Sequence, residues 1–324
     1  MFNFLKKIQN KIKTFFKYTL PRKLKYGNLP DFFQIRLELT NACGYNCFCC
    51  PRDKMTRPVG FMSKDDLKLV SERFKKYLNK KMEIHLHGYG EALLVKDFID
   101  KVKYIKQLMP NFKPVIVTTL GYKKDDIYWE ELINSGLAEI RISFYGYDRE
   151  SYHRLHGVDN FDLAVENFKK LVSANEKNGN KLKITFSVEE FQRKYLNCLE
   201  NFDLPSHEKN KKEFLEWLES IKNVKVRYIK LHNYGGGKDY APILKQKPCY
   251  VTNLDSDRIY LQISWNLNVI PCCMIYNDNI VFGNLKTQTL EEIYNSEVYK
   301  SLIKDLSELN YENYSDTCTN CCSY

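Results

Sequence analysis

After Pro30 the chain alternates short β-rich runs with helical stretches, and that alternation fixes what it can fold into. The strand candidates are Phe33–Leu39, Met82–His87, Pro114–Thr119, Glu139–Tyr145, Leu182–Val188 and Val224–Leu231. Between them Lys64–Leu78, Lys96–Leu108, Asp125–Asn134, Phe161–Asn175 and Glu213–Ile221 carry helical periodicity. Strands separated by helices pair in parallel through right-handed crossovers, so the expected class is α/β around a parallel sheet. The periodicity leaves open whether that sheet stays flat or rolls up. Gly235–Gly237 interrupts the pattern and reads as a linker. From about residue 245 a smaller unit follows, with a strand over Ile259–Trp265, a turn, a strand over Val269–Cys272 and a helix over Leu290–Leu306.

The first predicted strand runs straight into Leu39-Thr-Asn-Ala-Cys43-Gly-Tyr-Asn-Cys47-Phe-Cys-Cys50-Pro-Arg52. Three thiols at CxxxCxxC spacing oblige the loop to wrap around whatever they bind. Four cysteines are the usual ligand set of an iron–sulfur cluster, and this loop supplies three. A site one protein ligand short keeps a position open for chemistry. The loop also lies at the C-terminal end of a strand, where parallel α/β proteins place their active sites. The other readings are a zinc site or buried free thiols.

CxxxCxxC after a first strand resembles the radical S-adenosylmethionine superfamily, and further motifs follow in that family's order. The resemblance implies a partial (β/α)6 TIM-like barrel. It implies that Cys43, Cys47 and Cys50 hold a [4Fe–4S] cluster whose fourth iron is chelated by the cofactor's amino and carboxylate groups. One electron would cleave the sulfonium, and the resulting 5′-deoxyadenosyl radical would abstract a substrate hydrogen. Cys49 stands where the family usually has an aromatic residue and reads as a packing thiol. The second strand ends in His87-Gly88-Tyr89-Gly90-Glu91, similar to the family's glycine–glycine–glutamate motif, so Gly88, Tyr89, Gly90 and Glu91 would bind the methionine amino group. The other reading is a tight turn with a solvated glutamate. Thr119-Leu-Gly121 stands where Thr-Asn-Gly is common, and Ser143 stands where a serine contacts the cofactor. Where the family often has an arginine for the cofactor carboxylate, this chain has His156, with Arg154 two residues earlier as the substitute. His85 and His87 share one strand face and read as core or barrel-lining residues before substrate ligands.

Cys249, Cys272, Cys318 and Cys321 provide four thiols ending in CxxC, a complete set for a closed site of zinc or iron–sulfur type. The segments Asn266-Leu-Asn-Val-Ile-Pro271-Cys272-Cys273, Gly283-Asn-Leu285, Leu290-Glu-Glu-Ile-Tyr294 and Cys318-Thr-Asn-Cys321 resemble the SPASM/twitch extension of the same superfamily. That resemblance implies one auxiliary [4Fe–4S] cluster. Cys273 and Cys322 are read as non-ligands, with a swap inside either adjacent pair left open. Leu267 replaces the usual glycine of the turn.

The expected organisation is a basic helix over residues 1–30, a barrel over 31–237 and a cluster domain over 238–324. Eight cations, Lys6, Lys7, Lys11, Lys13, Lys17, Arg22, Lys23 and Lys25, precede the first acidic residue, Asp31, and supply most of the net +10. The basic balance thus describes the tail, which has three readings: lying on an anionic membrane surface, binding an acidic partner, or capping the barrel. Nothing beyond it suggests nucleic-acid binding. No apolar run reaches the ~18–20 residues of a membrane span, and no signal peptide is evident. Seven of the 11 cysteines fall into two tight groups, near the front and at the end, which favours metal binding over disulfides, and the chain reads as cytoplasmic, peripheral at a membrane if the tail lies on one. The expected function is a radical S-adenosylmethionine oxidoreductase that needs an external electron donor. Its expected reaction is a two-electron oxidation of a small sugar- or cyclitol-like alcohol, assisted by the auxiliary cluster. The alternatives are a maturase of ribosomally made peptides and a non-catalytic cluster scaffold. No catalytic side chain beyond the cluster ligands is evident.

Overall fold

The computed structural model describes residues 31–190, 202–238, 258–308 and 316–321, with Leu199, Cys249, Val251 and Asn310 between them. The basic N-terminal helix, Cys198 and Cys322 lie outside the described residues. The described strands are β1 (Asp31–Leu37), β2 (Met82–His85), β3 (Phe112–Thr118), β4 (Glu139–Phe144), β5 (Lys183–Glu190), β6 (Val224–Lys230), β7 (Arg258–Ile263), β8 (Asn268–Ile270) and β9 (Gly283–Asn284). They form one sheet in the order β6-β5-β4-β3-β2-β1-β7-β8-β9. From β1 to β6 neighbours are consecutive and parallel, each crossover carrying helix: α1 (Lys64–Arg73), α2 (Phe98–Leu108), α3 (Asp126–Ile133), α4 (Arg149–His156), α5 (Phe161–Lys177) and α6 (Leu204–Ser220). An order without reversal sends every right-handed crossover to one face, and the sheet curls around the other.

Side-chain alternation shows how the sequence dictates this. In β4, Ile140, Ile142 and Phe144 are buried on the helix side, while Glu139, Arg141 and Ser143 take the opposite face. Arg36 of β1 and Arg227 of β6 line one cavity. In a flat sheet five strand spacings would hold them about 24 Å apart. The six parallel strands therefore form a partial TIM-like barrel, open because β1 pairs on its other side with β7.

That pairing shows that the sheet does not stop at the predicted linker. β7 lies parallel to β1, and β8 and β9 add antiparallel strands. Gly235 and Gly236 adopt left-handed φ of 62° and 84°, and a side chain at Gly235 would meet Thr317 at 2.3 Å. The linker is thus a packed turn, tied by the Asn233 amide to the Asn320 carbonyl at 2.6 Å. The helix expected over Leu290–Leu306 is two, α7 (Leu290–Asn295) and α8 (Glu297–Glu308), broken at Ser296. α4 was not expected; its eight residues are mostly polar, with Tyr152 and Leu155 the apolar ones, but Asp148 and Ser151 form a capping box and Gly157 ends it at φ 72°. The last element, α9 (Asp316–Thr319), is a single turn. No helix among the described residues is long and apolar enough to cross a membrane.

Candidate active site

The loop after β1 hangs between β2 and α4. Glu91 N–H donates to the Ala42 carbonyl at 2.8 Å, and Phe48 N–H to that of Leu155 at 2.9 Å. Tyr122 Oη accepts from Gly44 N–H at 2.8 Å, and the Cys50 N–H turns back onto Cys47 O at 2.9 Å. The loop thereby presents Cys43, Cys47 and Cys50 to one cavity of about 320 Å³. Burial pushes the Cys43 thiol up to about 11 and the Cys47 thiol well above its ordinary value, with the neighbouring thiols adding to the rise at Cys47. Three crowded thiols that are costly as free anions suit iron, whose positive charge offsets them. A multi-iron cluster, which spreads its thiolates over several metal atoms, suits such a set. Cys49 also borders the cavity but packs with Phe48, Tyr145 and Leu231.

Gly88, Tyr89, Gly90, Glu91 and Thr119 line the same cavity. The two glycines answer to packing as much as to any ligand. A Cβ on Gly88 would come within 2.3 Å of the Glu38 carboxylate, and one on Gly90 within 2.2 Å of the Thr40 carbonyl. The Glu91 carboxylate is buried rather than solvated. It accepts from Thr119 N–H at 2.9 Å, Thr119 Oγ1 at 3.1 Å and Leu93 N–H at 3.1 Å. Burial nonetheless pushes its pKa up, so a cationic group arriving there would be met by a carboxylate short of charge compensation. Leu120 follows at φ 59°, a backbone shape that asparagine tolerates more easily than leucine. A Cβ at Gly121 would collide with Tyr45 Oη at 1.5 Å.

Ser143 borders the cavity, whereas Arg154 is not among its lining residues. His156 is fully buried behind the cysteine loop. Its Nε2 accepts from Tyr145 N–H at 3.0 Å, which leaves the proton of a neutral imidazole on Nδ1, 3.4 Å from Cys47 Sγ. Burial holds its pKa down to about 3, consistent with that neutral tautomer. Tyr145 stacks on the ring at 4.6 Å. The residue at the expected arginine position therefore supports a thiol. Of the two strand histidines, His85 is buried and meets Glu83 at 2.8 Å, while His87 faces the cavity.

The four C-terminal cysteines gather from separate segments. Burial raises the Cys249 thiol to about 12, with Cys321 and Cys318 adding to the rise; Cys272 is raised by burial, then by Cys273, Cys249 and Cys321. Its neighbour Cys273 instead borders the first cavity, where Tyr89 Oη donates to its carbonyl. One dipeptide thus touches both sets. Leu267, at φ 70°, keeps the left-handed turn for which glycine is the easier residue.

Sequence reasoning passed over Glu38 and Arg57. The Glu38 carboxylate is buried and takes both Arg57 Nη atoms at 2.6 Å, Tyr89 N–H at 2.9 Å and Trp265 N–H at 3.3 Å. Arg57 Nε donates to the Tyr276 carbonyl at 2.8 Å. This pair joins β1, the Gly88–Glu91 turn and the C-terminal unit. The only available signal was an acidic residue on the inward face of a strand.

Residues 37–188 match the family model described as the radical SAM superfamily, and residues 255–322 match SPASM, described as an iron–sulfur cluster-binding domain. Among curated proteins the chain is similar to a probable GTP 3′,8-cyclase of Saccharolobus islandicus (strain L.S.2.15 / Lassen #1), 28% identical over 208 residues, 63% of this chain and 58% of that one. It is 26% identical to the GTP 3′,8-cyclase of Cronobacter sakazakii over 214 residues, 64% of this chain and 57% of that protein. The chain thus spans less than two thirds of these relatives' length. Its fold resembles that of BtrN in complex with AdoMet and 2-DOIA, with TM-score 0.58, 20% identity and coverage of 90% and 92% of the two chains. It also resembles native anSMEcpe with bound AdoMet and Cp18Cys peptide, with TM-score 0.59, 14% identity and coverage of 90% and 89%. Streptococcus suis SuiB bound to precursor peptide SuiA gives 0.50 at 14% identity, covering 93% of this chain and 72% of that one. At such identities these three likenesses concern fold alone.

Proposed function

Because the chain belongs to the radical SAM superfamily and carries a C-terminal iron–sulfur cluster-binding domain, we propose that it is an enzyme with an open catalytic cluster and a closed auxiliary one. Cys43, Cys47 and Cys50 would hold the first [4Fe–4S] cluster and S-adenosylmethionine would complete it; Cys249, Cys272, Cys318 and Cys321 would hold the second. Residues 31–237 would form the catalytic barrel and 238–324 the auxiliary unit. When bound, these groups supply reductive cleavage of the sulfonium, hydrogen abstraction from a substrate carbon, and an acceptor for the electron the substrate gives up. The net reaction is a two-electron oxidation of a small molecule.

The chain's own residues bind and orient. Glu91, braced by Thr119 and the Leu93 N–H, receives the cofactor ammonium. Ser143 meets the cofactor from the β4 end. Arg52, donating to the Asn41 carbonyl at 2.6 Å and the Tyr89 carbonyl at 3.0 Å, fixes the cysteine loop against the glycine turn. Tyr89, buried between the loop and Cys273, keeps water out of the space between the two thiol sets.

The observation that carries this reading is that three thiols, Glu91 and Thr119 share one cavity whose far wall includes the neighbour of an auxiliary thiol. The small-molecule activity named for the curated relatives favours a small-molecule substrate. The peptide alternative draws on likeness of fold alone. After anaerobic reconstitution with iron and sulfide and reduction, the protein should convert S-adenosylmethionine to 5′-deoxyadenosine, and Cys43→Ala should reduce this to background. A fully loaded, reducible wild-type protein that forms none would overturn the proposal.

A further inference from the structure

Beside the first thiol set the cavity wall holds an acid and a guanidinium, neither of which is ion-paired among the described residues. Glu91 is buried, and every group it accepts from is neutral: Thr119 N–H, Thr119 Oγ1 and Leu93 N–H. Arg52 is half-buried in the turn Pro51–Lys54 that follows Cys50, and Met55 N–H closes that turn on its carbonyl at 3.1 Å. A single nitrogen, Nη1, donates to both the Asn41 and the Tyr89 carbonyls, whereas Nη2 and Nε make no hydrogen bond. Two acids of the same region are engaged elsewhere. Asp53, next in the turn, meets Lys238 at 3.1 Å, and Glu38, which takes Tyr89 N–H, holds both Nη atoms of Arg57 at 2.6 Å.

Both charges stand close to the thiols. Arg52, Glu91, Cys43 and Cys50 line the same cavity. Burial raises the Cys43 thiol; over that, Glu91 raises it further, while Tyr45 N–H and Arg52 lower it. The cavity's other guanidiniums, Arg36, Arg141 and Arg227, come from β1, β4 and β6 and bear on His87, and Arg141 already has Glu139 at 3.0 Å. An acid and a cation that flank one thiol without joining each other suit a ligand carrying both an amino group and a carboxylate. A guanidinium binds a carboxylate best through two adjacent N–H groups, and Nη2 with Nε forms such an edge. We propose that Arg52 takes the carboxylate of S-adenosylmethionine on this edge while Glu91 takes the amino group. Because Nη1 ties the cysteine loop to the glycine turn, filling the free edge fixes the guanidinium in the pose that holds both. The assignment replaces Arg154, which does not line the cavity, and leaves His156 to Cys47. It rests on the cofactor completing the Cys43, Cys47 and Cys50 site as proposed above.

Calorimetric titration of the reconstituted holoprotein, kept oxidised so that no cleavage occurs, tests it with two ligands. One is S-adenosylmethionine; the other is its decarboxylated form, which keeps the amine and sulfonium. Arg52→Gln should weaken the first roughly 10- to 100-fold, the loss expected from one charged hydrogen-bonding partner, and leave the second unchanged. Arg52→Lys should recover part of the loss. 5′-Methylthioadenosine, lacking the whole amino-acid end, is a second reference and should also be indifferent to the substitution. Equal losses for all ligands would reduce Arg52 to a brace of the loop and overturn the proposal, as would undiminished binding of S-adenosylmethionine by Arg52→Gln. If that variant fails to load iron, the same titrations on Arg52→Lys decide, with a smaller loss confined to the carboxylate-bearing ligand expected. A wild-type protein that binds no S-adenosylmethionine overturns this inference together with the function proposed above. A selective loss in a protein that forms no 5′-deoxyadenosine on reduction would strike the catalytic proposal and leave Arg52 on the carboxylate.

Discussion

The two cysteine sets are built in opposite ways. Cys43, Cys47 and Cys50 come from one loop at the end of β1, and that loop is held by the barrel whether or not the thiols bind anything. Its supports are the Ala42 carbonyl on Glu91 N–H, the Leu155 carbonyl on Phe48 N–H and Tyr122 Oη on Gly44 N–H. Cys249, Cys272, Cys318 and Cys321 come from three distant stretches, two of them on or beside the single turn α9. Such a turn is too short to persist by itself; here the Asn233 amide on Asn320 O and the Asn279 amide on Thr317 Oγ1 hold it. A site on a preformed loop can lose its metal and keep its shape. A site that joins separate segments contributes its binding energy to the fold.

The largest expected effect breaks that symmetry directly. Cys272→Ala and Cys43→Ala should each lose about half of the roughly eight irons expected of two [4Fe–4S] clusters. Only Cys272→Ala should also make the C-terminal unit markedly more sensitive to limited proteolysis, while the barrel stays resistant. Equal sensitivity in both variants would show that the C-terminal unit stands without its cluster. A smaller effect should follow from cutting the link between the regions. Glu38→Gln removes the nearer carboxylate of the buried Arg57 and leaves it Asp278 at 3.7 Å, so the loss should fall below the about 3–5 kcal/mol of a buried charge left wholly unpaired. A fall in the denaturant midpoint with iron content kept would show that the pair joins the two regions independently of either metal. An unchanged midpoint would remove it from that role.

The same contrast governs what could be read from the sequence. The first thiol set was legible because its spacing is local and follows a strand. The six strands of the barrel were legible because alternation is also local: Ile140, Ile142 and Phe144 mark their own buried face. The parallel pairing of β7 with β1 was not, since the partners are more than 200 residues apart and nothing in Ile259–Trp265 says which edge it will join. α4 escaped because it is short and mostly polar and its clearest signals are caps. Which of Cys272 and Cys273 would serve the auxiliary set could not come from spacing, because it depends on which way each side chain leaves the turn after β8; Cys273 is among the residues that line the first cavity. Glu38 was hidden because its partners, Arg57, Tyr89 and Trp265, come from three separate segments.

His156 offers the finest test of the contrast. Among the described thiols of the first set, Cys47 has an imidazole Nδ1 at 3.4 Å, and the Tyr145 N–H on the other ring nitrogen fixes which atom carries the proton. A hydrogen bond to a metal-bound sulfur is stronger when the cluster carries the extra electron, so it raises the reduction potential. Replacing His156 with Phe should remove the donor while keeping much of the ring packing against Tyr145 and Tyr152. The potential of the first cluster, followed by electron paramagnetic resonance during redox titration, should fall by about 60 mV if the bond contributes about 1.4 kcal/mol. The auxiliary cluster should not move, because the thiol that His156 meets is Cys47 of the first set. A shift of both potentials would mean that the variant had loosened the shared wall. An unshifted first potential would reduce His156 to a packing residue.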